Sequence, residues 1–464
     1  MNVRFKRLAL LCSASLLSFN TYSGAISFDQ AWQVLQLNNH SLEAGRANVD
    51  AYQHLESAKG NLNLPQVSIG ANYTRLDNDV IVTGKQLADA TTGLPTLPSL
   101  PGLSSLLGGI ETSITEKDIF TSSIRAVWPI FTGGRITAAQ TAAQGETEVA
   151  KSQFNMEVQA RYEDLSKYYF SVVLAQEVYE TRQAVEKGLA QHQAFAIKLE
   201  EQGQIARVER LQADASLDKA KVETRKALSQ LTIAQSALSK ILAQDTSVQP
   251  TESLFININL PPMQVYIDQT LATYPGLDLL AAKEKQATSL IKAEKGKYYP
   301  EVYLYGDYSL YEEDTLASQL KPDWMVGVGV SVPLIESTGR SDNIKAANSM
   351  VQRVQALKSQ AREDLSILVQ KTYLEAQQAI DEVLGLESSI ELAQENLRLR
   401  EKAFKQGLSS SLDVVDAQLY LASIQTQQSV ARYQYLVSLN RLLAVSSQMD
   451  TFNQYQTSAY VSAN

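Results

Sequence analysis

The chain has 464 residues, a formal net charge of −9 and a sequence pI of about 5.1. With no basic face to neutralise phosphates, the composition argues against a nucleic-acid partner. The length is ample for two domains or one large repeated fold.

Arg4, Lys6 and Arg7 precede an apolar run from Leu8 to Phe19 and a small-x-small site, Ser23-Gly24-Ala25. This predicts a secretory signal peptide over residues 1–25, cut after Ala25. The run is too short to anchor the chain across a bilayer. Cys12 lies inside it, and Leu11 stands where a lipoprotein needs a small residue, so no lipid anchor is expected. The mature chain would then hold no thiol, disulfide or cysteine metal site. No later segment supplies the roughly 18 consecutive apolar residues of a membrane-spanning helix, which leaves a soluble protein or a β-barrel.

A helical pattern runs from Phe28 to about Asn63, with Trp32, Leu35, Val49, Tyr52 and Leu55 near helical spacing, and Pro65 ends it. From Gln66 to Thr74 the pattern alternates, with Val67, Ile69, Ala71 and Tyr73 on one face. That predicts a strand within 65–76. Residues Asn78 to Lys117 carry turn-formers and read as a loop. A second strand, 119–130, sets Phe120, Ile124, Ala126, Trp128 and Ile130 opposite Thr121, Ser123 and Arg125.

After the turn Pro129 to Arg135, no proline occurs until Pro250. Good helix formers fill this span, broken only at Gly203-Gln204. The helix from Arg135 to about Gln202 would be about 100 Å long, which suggests coiled-coil packing. A second helix runs from about Val208 to Ala243. Gln244 to Pro262 reads as a linker.

The order then recurs. A helix from Gln264 to about Lys297, broken at Tyr274-Pro275-Gly276, is followed by strands 300–310 and 324–332, the latter with Trp324, Val326, Val328, Val330 and Val332 opposite Met325, Gly327, Gly329 and Ser331. A turn, Pro333 to Arg340, leads to a helix from Ser341 to Gln406, a glycine turn at Gly407 and a last helix to about Ala444. Pro129 and Pro333, Tyr169 and Tyr373, and Gly203 and Gly407 are each 204 residues apart, while Pro65 and Pro300 are 235 apart. A period this long is a duplicated half, not a solenoid. The organisation expected is a first repeat over 26–250, a linker over 251–262, a second repeat over 263–445 and a polar tail over 446–464.

Four strands cannot close a transmembrane barrel. Either they form a small sheet on a soluble core, or several chains pool their strands. The apolar row opposite Gly and Ser in 324–332 fits a lipid-facing surface over a water-filled lumen.

This order of elements, with the turn Trp128-Pro129-Ile130-Phe131-Thr132-Gly133-Gly134, the tips at Gly203 and Gly407 and the run Leu412-Asp413-Val414-Val415-Asp416-Ala417, resembles the TolC family of outer-membrane efflux proteins. The resemblance covers essentially the whole mature chain. It implies a mixed, mostly α fold with four barrel strands per chain plus long coiled-coil helices. It also implies a homotrimer, in which three chains give a twelve-stranded outer-membrane β-barrel continuous with a periplasmic α-helical barrel. Implied partners are a periplasmic adaptor, an inner-membrane transporter of the RND, ABC or MFS type, and outer-membrane lipid, in a Gram-negative cell. No cofactor, metal or enzyme activity is expected.

The second turn departs from the pattern. It has one glycine, Gly339, after Pro333 and is one residue longer than the turn that holds Gly133 and Gly134. Family tips often pair an acid on the first hairpin with a basic residue on the second. Glu209 fits the acid position, but Ser409 occupies the basic one, so a closed state would need other contacts.

Asp413 and Asp416 share one face at a helix start. Two roles are open for them: capping the helix, with Ser410 or Ser411 as N-cap, or lining a pore constriction as a cation ring, which the resemblance implies. Crowded carboxylates in such a ring would have raised pKa values. Gly203, Gln204, Ile205 and Ala206, with Gly407, Leu408, Ser409 and Ser410, are the expected adaptor-docking tips, and Glu209 and Phe404 are gate-associated. His40, His54 and His192 lack metal-ligand spacing.

Three functions are weighed: a passive efflux duct for drugs or other small toxic compounds, a type I secretion duct for polypeptides, and a periplasmic coiled-coil protein without a pore.

Overall fold

The computed structural model describes residues 24–84, 86, 111–313, 315–335 and 337–460. The predicted signal peptide up to Ser23, with Cys12, lies outside the described residues, as do most of the loop read from Asn78 to Lys117 and the turn residue Glu336. The chain forms two compact units, and each draws on both halves of the sequence. A helical unit takes the chain up to Asn48, Ser152–Leu277 and the chain from Ser359; a sheet unit takes Val49–Lys151 and Asp278–Lys358.

In chain order the strands are β1 (Ala25–Ile26), β2 (Gln66–Arg75), β3 (Val80–Thr83), β4 (Glu111–Thr115), β5 (Asp118–Phe131), β6 (Gln249–Pro250), β7 (Glu301–Glu312) and β8 (Trp324–Ser331). The helices are α1 (Phe28–Asn38), α2 (His40–Gly60), α3 (Arg135–Glu201), α4 (Arg207–Ile241), α5 (Met263–Thr273), α6 (Pro275–Gly296), α7 (Leu316–Leu320), α8 (Arg340–Lys405), α9 (Ser411–Val445) and α10 (Phe452–Thr457). The two hairpins match in length: α3 and α8 have 67 and 66 residues, and α4 and α9 have 35 each. Among the described residues no helix is long and apolar enough to cross a membrane.

The sheet unit holds an antiparallel sheet in the order β2-β5-β7-β8. Residues directly opposite in such a ladder point the same way. Ile69 pairs with Ile124, Ile124 with Tyr308 and Tyr308 with Trp324, all on one face. Val326, Val328 and Val330 extend that face and are exposed. Ser68 pairs with Arg125, Arg125 with Asp307 and Asp307 with Met325 on the other. There Arg125 Nε lies 3.1 Å from Asp307 Oδ2. Tyr303 and Tyr305 lie across Gly329 and Gly327, where a Cβ would run into either ring. One face is therefore apolar and the other polar and aromatic. β2 and β8 are the edges of this sheet.

The two strand-to-helix turns differ. Gly133 (φ 63°) and Gly134 (φ 80°) adopt the left-handed conformation glycine permits, and a Cβ at Gly133 would run into the Gly296 carbonyl. Arg135 then pairs with Glu301. In the second turn Gly339 (φ 62°) has open space beside it. Arg340 closes that turn by donating to the Pro333 and Lys297 carbonyls and lying 4.9 Å over the Tyr298 ring.

The helical unit is centred on an aromatic and leucine-rich core. Phe28 packs on Tyr162, Tyr169 and Phe170, and the repeat-related pair Tyr169 and Tyr373 both contribute. β1 and β6 pair in parallel, and the buried Tyr169 hydroxyl donates to the Ile26 carbonyl and accepts from Thr251 N.

Four expectations need correction. The helix read from Phe28 to Asn63 is two helices and a 3₁₀ turn, because Asn39 adopts an extended conformation and its side chain accepts the Ser41 and Leu42 N–H groups. The long loop carries the paired strands β3 and β4. The linker is not a free connector: Leu254, Phe255 and Ile256 are buried in the core. The polar tail also folds back, with Phe452 of α10 buried among Phe28, Phe170 and Phe255 and Tyr460 N donating to Ile256.

Candidate functional site

Both hairpins turn by the same device, within the helical unit. Gly203 (φ 69°) and Gly407 (φ 72°) take the left-handed position that closes a helix. Gln204 N donates to Leu199 O, and Leu408 N to Ala403 O, at 2.8 and 2.9 Å. Each pattern satisfies carbonyls that the helix end leaves unpaired.

The restart differs. α9 begins at a capped end: Ser410 Oγ accepts from Asp413 N at 3.2 Å, and Asp413 Oδ2 accepts from Ser410 N at 2.9 Å. The hydroxyls of Ser409 and Ser410 donate to the same carboxylate oxygen, each at 2.9 Å. Arg400 Nη1 stands 3.6 Å from its other oxygen. The Ser410 N–H, then the two hydroxyls and the Arg400 charge, hold the Asp413 carboxyl below the usual range. Within one chain this runs opposite to the rise expected from crowded acids.

α4 begins at Ala206, which has no side-chain acceptor. Glu209, 204 residues before Asp413, occupies the equivalent position. With no local hydroxyl to engage, its carboxylate reaches the other hairpin and accepts from Ser411 N at 2.6 Å. The second hairpin therefore has a tether without a basic residue at 409. Ser409 serves its own helix, and the tie falls on the backbone two residues on.

Ser411 is gripped from a second side. Its hydroxyl lies 2.6 Å from His192 Nε2 on α3. His192 packs at 4.4 Å, centroid to centroid, against Phe404, which is 2% exposed and fits among Ala196, Leu199, Ala213 and Val414. All four helices of the two hairpins thus meet at one point. Burial pushes the His192 imidazole down to about 4, against the opposing pull of Glu209. No sequence spacing marks His192, since its partner is 219 residues away.

Asp416 sits one turn beyond Asp413 and is exposed. It lines a groove with Leu412 and Leu419 of α9, Arg182 and Leu189 of α3 and Lys219 of α4. The two aspartates are therefore unlike: Asp413 is engaged by its own cap, and Asp416 faces outward. Gln204, Leu408 and Leu412 are exposed, and Ile205 is partly covered by the cluster around Phe404.

The chain thus holds two long helical hairpins of matching length and one four-stranded sheet with an apolar face and a polar, aromatic face. The chain belongs to the outer membrane efflux protein family, whose sequence profile matches residues 31–244 and 266–447. It is 24% identical over 309 residues to nodulation protein T of Rhizobium leguminosarum bv. trifolii, covering 64% of this chain and 62% of that protein. It is 21% identical over 294 residues to the alkaline protease secretion protein AprF of Pseudomonas aeruginosa, covering 61% and 60%. The chain thus spans somewhat under two thirds of these relatives. In fold it is similar to the open state of the MtrE outer membrane channel of Neisseria gonorrhoeae, with a TM-score of 0.71, 18% identity, and coverage of 91% of this chain and 89% of that one.

Proposed function

We propose that this chain is the outer-membrane channel of a tripartite efflux system, a passive exit duct for drugs or other small toxic compounds. Its place is the outer membrane of a Gram-negative cell, with its helical hairpins in the periplasm. The observation that supports this reading best is the sheet. It has one apolar and one polar face and two edges, β2 and β8. Such edges cannot face lipid, because backbone groups unpaired in hydrocarbon cost several kcal/mol each, so the sheet must be closed by other copies. Three copies pool twelve strands, enough for a barrel with an aqueous interior. The apolar face meets lipid, and Arg125, Asp307, Tyr303 and Tyr305 face the lumen.

The three pairs of hairpins form the narrow end. Asp416 and Asp413 from each copy ring the constriction and favour cations. Residues Gly203 to Ala206 and Gly407 to Ser410 dock a periplasmic adaptor, which couples the duct to an inner-membrane transporter of the RND, ABC or MFS type. This reading assigns the chain no bond chemistry and no cofactor.

The likeness to a protease secretion protein favours a second reading, a duct for exported polypeptides. Deletion of the gene separates the two. Increased susceptibility across a panel of small toxic compounds with an unchanged secretome supports efflux. Loss of a secreted polypeptide with unchanged susceptibility overturns efflux in favour of secretion. Purified protein that inserts into bilayers without conducting overturns both.

A further inference from the structure

The contact between His192 and Ser411 joins the two hairpins where the polar tie of Glu209 also lands. Ser411 is fully buried and His192 is 8% exposed. Ser411 opens α9, so the imidazole lies at the positive end of a helix dipole. Around it stand Glu209 from α4 and, along a cavity of about 150 Å³, Glu401 and Lys405 from α8. Its own helix presents Gly188, Gln191 and Phe195 to that cavity. Asp413, the charged group of the first turn of α9, is occupied by Ser409, Ser410 and Arg400.

We propose that His192 is a proton-sensitive latch: neutral, it holds the start of α9 against the first hairpin, and protonated, it releases it. Whichever nitrogen carries the proton of the neutral ring, the imidazolium brings a full positive charge to a helix N-terminus. If the Ser411 hydroxyl donates to Nε2, protonation also removes the acceptor. The new cation draws the Glu209 carboxylate toward itself and away from Ser411 N. Both ties across the hairpins weaken together.

The direction of the pH effect follows from burial. His192 is depressed from 6.5 to about 4 in the closed arrangement and regains its ordinary value once exposed. The closed arrangement therefore binds fewer protons. Its latch is fully present above 6.5 and is lost progressively as pH falls toward about 4. The cavity beside the ring gives protons a route to it.

This inference rests on the duct reading, and its test has two arms. In planar bilayers, lowering the pH from about 7.5 to about 5 is expected to raise the open probability of the wild-type protein at least about tenfold. His192→Gln, whose amide can still bond Ser411 but does not titrate in this range, is expected to stay closed at both pH values. An equal pH step in His192→Gln overturns the latch and assigns the step to other groups. The second arm needs no conductance: spin labels at Gln204→Cys and Leu408→Cys report the distance between the tips of the purified protein. The latch predicts that acid lengthens and broadens this distance in the wild-type background and not with His192→Gln. An unchanged distance in acid overturns it. Acid-driven separation in protein that never conducts keeps the latch and overturns the duct.

Discussion

The two hairpin tips begin from one pattern, a left-handed glycine followed by an acid six residues on, and put that acid to different uses. At the second tip Ser410 supplies a hydroxyl and a backbone N–H, and Asp413 is consumed locally as half of a reciprocal cap. At the first tip Ala206 supplies no side-chain acceptor, and Glu209, longer by one methylene, crosses to Ser411. One missing hydroxyl thus turns a helix cap into a tie between hairpins. The longer side chain and the lost local partner together let the acid make a new contact.

The largest expected effect comes from removing the crossing acid. Glu209→Ala strands a buried N–H and should cost about 1–3 kcal/mol per chain in the closed arrangement. Bilayer recordings should show an increased open probability at neutral pH, while Asp413→Ala, whose side-chain partners Ser409, Ser410 and Arg400 all lie within its own hairpin, should leave it much nearer wild type. Similar openings in both variants would remove the distinction between the tips. Next in size are Gly203→Val and Gly407→Val. A branched residue in the left-handed conformation costs about 1–2 kcal/mol at each site. Because neither glycine has atoms within 4 Å of an added Cβ, the effect is local. The proposed trimers should persist in the outer membrane while the proposed adaptor-dependent resistance is lost; loss of trimers instead would assign the glycines to folding.

Ala206→Ser restores the hydroxyl that the first tip lacks. It should add about 1 kcal/mol of capping and compete for Glu209, so that the tips separate more readily although α4 is stabilised. Unchanged gating would show that the Ser411 N–H outcompetes a local hydroxyl. The smallest effect on stability belongs to Asp416→Asn combined with Asp413→Asn. It should weaken cation selectivity and cation block, measured as reversal potentials in a salt gradient, and unchanged selectivity would remove the aspartates from the constriction.

Much of this architecture was legible because local physics sets it. The alternation in 66–74, 119–130 and 324–332 gives two sheet faces, and the proline-free runs around Gly203 and Gly407 give long helices closed by glycine. Ser410 and Asp413 also announce themselves, since both partners of the cap lie within one turn. The contacts between the two hairpins were not legible. His192 meets Ser411, and Glu209 meets its backbone, across 219 and 202 residues. Such pairings depend on how hairpins pack, which no periodicity encodes. The same holds for Leu254 to Ile256 and Phe452, which lie in stretches with polar neighbours and no regular pattern, yet fill an aromatic core. The strands β3 and β4 were hidden by the turn-forming residues between them.

The tie between tips and its control of a pore can be tested in one recording. Cysteines at Gln204 and Leu408, placed in a Glu209→Ala background, are bridged by a short bifunctional thiol reagent and then released by cleaving it. The predicted result is high conductance before bridging, a fall toward the wild-type level once the tips are joined, and recovery on cleavage. Conductance that is indifferent to the bridge would contradict a gate between these hairpins.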